Sequence, residues 1–147
     1  MPGIQRNDHV ELNPPDFYPA ILSADPSDLT RSTFTSLSSG GKKTLFKCCF
    51  AIALHRIAAQ LHAPLPELLI IDSPMKNISE RENKAQFEGF YRMLYQLNAG
   101  ELQHAQFVLI DKEFFTLPSD LAAGVTKRHM QPDSDEHQPL IRYYRGK

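Results

Sequence analysis

A chain of 147 residues has room for one domain with a moderate core. Its formal net charge of −1, with 22% charged residues, excludes the global basic field that draws a protein onto nucleic acid. It is 41% hydrophobic, has no apolar run near the roughly 20 residues that cross a bilayer, and lacks a basic-then-apolar start. A soluble, cytoplasmic protein with no membrane partner is the expectation.

Residues 1–8 are polar and unpatterned, so a loose start is expected. Val10 and Leu12 alternate with polar neighbours, a weak strand signal over 9–12. Pro14, Pro15, Pro19 and Pro26 then punctuate a stretch in which Tyr18–Leu22 forms a short edge strand. Residues 25–39, rich in Ser, Thr and Asp, read as an irregular approach to a helix over 44–62. That helix carries Leu45, Phe46, Cys48, Cys49, Phe50, Ile52, Leu54, Ile57 and Leu61 on most of its faces. Such a helix is normally sandwiched inside a domain. Cys48 and Cys49 are the two cysteines. As neighbours on a helix they diverge by about 100°, which suits neither a disulfide nor a shared metal, so both read as small buried hydrophobes in a reducing compartment.

His62, Pro64 and Pro66 stop the helix, and the apolar run over 67–71 predicts a fully buried strand of a parallel sheet. Ser79-Glu80-Arg81-Glu82 is a capping box. Phe87, Phe90, Tyr91, Leu94 and Leu97 follow at helical spacing, and Asn98-Ala99-Gly100 ends the second helix. Gln106–Ile110 is a further apolar strand, leading to Asp111, Lys112 and Glu113. Residues 117–138 read as loop with one helical turn at 120–124, and 140–144 as a last strand. Strand and helix alternate at the spacing of a layered α/β fold with a mostly parallel sheet and flanking helices. The expected organisation is a loose segment with short strands over 1–36 and an α/β lobe over 37–147.

Two features carry candidate chemistry. Ser38, Ser39, Gly40, Gly41 and Lys42 open the first helix, where glycines allow close backbone approach and unpaired N–H groups attract an anion. A glycine turn of this kind also serves merely to enter a helix. It is not a P-loop: the pattern G-x-x-x-x-G-K-[ST] requires glycine at Ser36 and Ser or Thr at Lys43. Asp72 ends the 67–71 strand, at the edge where open α/β sheets bind ligands, and a carboxylate there holds Mg²⁺ beside a phosphate. An Asp that simply ends a strand and starts the Ser73-Pro74 turn is the plainer alternative.

In combination, the Ser-Ser-Gly-Gly turn, long helix, apolar strand with Asp, capped helix and second apolar strand resemble the C-terminal half of an ABC-type ATPase head. The SMC-like group, which includes chromosome-maintenance and DNA-repair ATPases, is the most similar, together with related bacterial and phage ATPases. Ser38, Ser39, Gly40, Gly41 and Lys42 resemble the signature motif, Leu68 to Asp72 Walker B, Lys76 and Asn77 the subunit-contacting D-loop, and Asp111 and Lys112 the switch region. The resemblance implies a partial P-loop NTPase fold, ATP and Mg²⁺ as shared cofactors, and Asp72 as the metal ligand. It also implies a P-loop-bearing partner chain or self-association, with DNA reached through the assembled complex.

This sequence departs from that pattern at Ser73, where the family carries the acid that polarises water; a hydroxyl orients water but is no effective base. The switch position, commonly His, holds Asp111 and Lys112, with Glu113 as a nearby carboxylate. Lacking a P-loop, the chain is expected to complete an ATP site with another polypeptide and to bind ATP poorly alone. Without the P-loop strand, Gln106–Ile110 presents an apolar edge that a partner, a second copy or residues 140–144 must cover.

Two rival readings remain. One is a non-enzymatic regulatory protein derived from such a lobe. The other is a metal-dependent hydrolase built on Asp111, Glu113, His129 and His137, near Asp133, Asp135 and Glu136, although their spacing matches no strong motif. Lys127, Arg128, Arg142, Arg145 and Lys147, with Tyr143 and Tyr144, are candidates for contact with DNA phosphates, or a solvated strand end.

Overall fold

The computed structural model describes residues 7–33, 35–37, 40–74, 80–112, 115, 124–131 and 134–138, with backbone alone over 80–84. The chain divides into two compact units, 1–116 and 117–147. The strand expected at 140–144 and the helical turn at 120–123 lie outside the described residues.

The first unit is mixed α/β. It begins with an antiparallel meander of β1 (His9–Asn13), β2 (Tyr18–Leu22) and β3 (Arg31–Thr33), in the order β1-β2-β3. Residues 14–17 turn β1 into β2, with a cis Pro14–Pro15 bond and Phe17 in the left-handed region at φ 49°. β2 is the central strand, yet it contains Pro19. Its pairing explains the tolerance: Pro19 faces Leu12 of β1, whereas β3 joins only from Ala20 onward. The missing N–H therefore lies where the strand has a single neighbour. β3 falls inside the stretch expected to be irregular. Asx turns lead into it: the Asp25 carboxylate accepts from the Ser27 N–H at 2.8 Å and hydroxyl at 2.7 Å, and Asp28 accepts from Thr30.

A helical layer on a parallel strand pair follows, comprising α1 (Gly40–Gln60), β4 (Leu68–Asp72), α2 (Glu80–Ala99) and β5 (Gln106–Ile110). β4 and β5 pair in parallel from Leu68↔Gln106 to Asp72↔Ile110, and α2 is the crossover between them. α2 starts at the residue after Ser79, as the capping pattern predicts, although Ser79 itself lies outside the described residues. Its stripe Phe87, Phe90, Tyr91, Leu94 and Leu97 is buried as one face. Ile52 of α1, Ile71 of β4, and Leu102 and Ala105 of the following turn complete the core. Asn98 Nδ2 donates to the Ala105 carbonyl at 3.0 Å, tying the end of α2 to the start of β5.

Two expectations about burial are corrected. α1 packs through Leu45, Cys48, Cys49, Ile52 and Ala59, a single stripe, while Leu54 and Ile57 are 43% and 51% exposed. Among the described residues the helix is thus left partly open, with Leu54 and Ile57 uncovered, rather than sandwiched. β4 is likewise half-covered: Leu69 and Ile71 join the core, but Leu68 and Ile70 are exposed, Ile70 by 59%. Registered parallel partners share a face, so the exposed Leu68, Ile70 and Ile110 lie on one largely open face with the half-buried Val108 and with Gln106 and Asp72. The apolar runs reflect side chains suited to two covered faces, of which the described residues cover one. Among the described residues, no helix is long and apolar enough to cross a membrane.

α1 ends in a Schellman turn: the Ala63 N–H donates to Ala58 O at 2.9 Å and the His62 N–H to Ala59 O at 3.3 Å. His62 occupies the left-handed position at φ 52°, normally taken by glycine. His62→Gly is therefore expected to stabilise the unit by about 0.5–1 kcal/mol, the relief of left-handed strain less the entropy glycine adds to the unfolded chain. Urea denaturation at constant slope measures it. Beyond this turn, Arg56 Nε and Nη2 grip both Glu101 oxygens at 2.8 Å, joining α1 to the turn before β5. Arg56 holds the Glu101 carboxyl below its ordinary value. Any stability from the pair is present above the unfolded carboxylate pKa and lost as pH falls through the folded one; solvent exposure keeps it small.

Candidate functional site

The direction of α1 determines which chemistry shares an end of the layer. Asp111, just past β5, lies close enough for its charge to act on Cys48, in the first half of α1. His55, Ala58 and Ala59, in its second half, and His62, in the turn after it, line a cleft with Glu67, Leu102 and His104, which flank the starts of β4 and β5. α1 therefore runs antiparallel to the strands. Its glycine N-terminus, Asp72 and Asp111 all belong to the carboxyl end of the sheet, where open α/β layers bind ligands.

β4 delivers Asp72 to that end with its carboxylate exposed, in register with Ile110. Ser73 follows in the left-handed region at φ 53°. Its N–H donates to Ile110 O at 2.7 Å, extending the ladder by one bond, and its hydroxyl donates to Asp72 Oδ1 at 2.8 Å. Pro74 helps by disfavouring the right-handed helical region for the residue before it. A non-glycine residue strained in this way, with its side chain on the carboxylate, holds one oxygen of Asp72. The Ser73 hydroxyl is thus engaged with the Asp72 carboxylate.

Of the turn that opens α1, Gly40 and Gly41 are helical, Gly40 exposed and Gly41 buried, and Lys42 is exposed. Thr44 Oγ1 donates to Gly40 O at 3.0 Å within the first turn. The N–H groups at this end have no partner within the helix and share the positive end of its dipole. Ser38 and Ser39 lie outside the described residues, as do Lys76 and Asn77. Asp111 alternates to the opposite sheet face from Asp72, towards α1, and its Oδ1 accepts the Lys112 N–H at 2.8 Å. Asp72 and the switch residue Asp111 thus share an end of the sheet but not a face.

Burial, before the Cys49 and Asp111 charges, pushes the Cys48 thiol up to about 11, and burial raises Cys49 as well. Both are free thiols, and both are part-buried rather than the fully buried side chains expected.

In the second unit, the His129 and His137 rings are 6.4 Å apart, whereas Glu113 and Asp133 lie outside the described residues. Among the described residues, no three His, Cys, Asp or Glu side chains are placed to hold a metal together.

Sequence reasoning passed over the cleft at the opposite end of the layer. It measures about 400 Å³, with His55, His62, His104 and Glu67 among its lining. His55 Nδ1 bonds the Ala51 carbonyl at 3.0 Å, and its Nε2 is buried without a partner among the described residues. The sequence signal is slight: His55 lies on α1 and His62 in the turn just after it, but His104 comes from elsewhere in the chain.

Comparison with protein-family models, curated proteins and solved structures finds no match to this chain.

Proposed function

We propose that this chain is the C-terminal lobe of an SMC-like ABC-type ATPase, contributing a signature-like helix start and a Walker B-like carboxylate to an ATP site completed by a P-loop-bearing partner. The observation that carries this reading is the common end of the layer shared by the Gly40–Gly41 helix start and the Ser73-oriented carboxylate of Asp72. Helix N-termini bind phosphate through backbone N–H groups, and Mg²⁺ is held by one or two carboxylates together with phosphate oxygens. Asp72 is a hard, exposed oxygen donor of the required kind. Bound Mg²⁺ would neutralise charge on the transferred phosphoryl group. In this reading Gly40, Gly41 and Ser39 donate to the γ-phosphate, Asp72 holds the metal, Ser73 keeps its carboxylate oriented, and Lys76 and Asn77 line the subunit contact. The assembled machine would serve DNA repair, chromosome maintenance or phage- and defence-related processes.

The test is reconstitution. The lone chain is expected to show no calorimetric Mg-ATP binding in the micromolar range. Mixing it with a P-loop chain encoded beside it is expected to yield ATPase activity that Asp72→Asn abolishes. Micromolar ATP binding by the lone chain, or full activity with Asp72→Asn, would sink the proposal.

A second reading is favoured by the open apolar face of Leu68, Ile70 and Ile110 and by serine where a catalytic acid is expected. In that case the chain docks on an ATPase as a regulator without taking part in the chemistry. Binding to the P-loop chain with ATPase activity indifferent to Asp72→Asn is its signature.

A further inference from the structure

We draw no further inference here: the strongest candidate, the cleft lined by His55, His62, His104 and Glu67 where the end of α1 meets the starts of β4 and β5, carries nothing, because the buried His55 Nε2 is closed to any ligand in the cleft and nothing in the structure shows what would fill it.

Discussion

Replacing Phe87 by alanine is expected to remove about 3–5 kcal/mol of stability, the range for deleting a buried aromatic side chain. Phe87 is 1% exposed and sits where α2 meets the rest of the layer. Its ring lies 5.0 Å from that of Tyr91 and makes an edge-on contact with Phe115 at 6.4 Å, while Phe90 meets Tyr91 edge-on at 5.9 Å. Truncation therefore loses transfer free energy and aromatic contact together, and leaves a cavity whose walls are themselves pinned rings. Small domains have about 5–15 kcal/mol in total, so this change consumes much of the reserve. Urea unfolding followed by far-UV circular dichroism should show a large fall in midpoint, or a chain unfolded without denaturant. Phe17→Ala provides the contrast. Phe17 is 60% exposed, and a change within about 0.5 kcal/mol is expected. Equal losses at the two positions would mean that α2 does not organise the core.

Periodicity made these contacts legible. A stripe at three- and four-residue spacing has one structural solution, so α2 and its buried face follow from the sequence alone, and the uncharged run QFVLI marks β5 to the residue. Less was visible in α1. Apolar residues on most of its faces indicated a helix sandwiched in a core, but composition does not reveal how many sides neighbours occupy, and Leu54 and Ile57 stay exposed. Its start was set too late, because Gly40, Gly41, Lys42 and Lys43 lack an apolar period and yet are helical. β3 escaped notice because Arg31, Ser32 and Thr33 are polar and owe their strand to pairing with β2, a tertiary effect. At the candidate site, Asp72 at a strand end was readable from the apolar run before it. The left-handed Ser73 and its hydroxyl bond to Asp72 were not, since backbone strain at a serine leaves no trace in composition.

The reactivity of Cys48 tests the same packing from a different direction. The thiolate is the nucleophile, so alkylation at a given pH follows the ionised fraction. Burial, reinforced by Cys49 and Asp111, carries the Cys48 thiol from 9.0 to about 11. At pH 8 that leaves its thiolate about 100-fold scarcer than that of an ordinary cysteine. Iodoacetamide should accordingly label Cys48 about 100-fold more slowly in the native chain than in urea, as read by peptide mass spectrometry. The sign for stability follows from the same shift: an unfolded thiol ionises first, so native stability falls as pH rises from 9 towards 11 and is unaffected below that window. Asp111→Asn should accelerate labelling modestly, because burial, the larger cause, remains. Native labelling at the unfolded rate would mean that α1 does not bury Cys48 against the layer. The shared end of Gly40, Asp72 and Asp111, inferred from the direction of that helix, would fail with it.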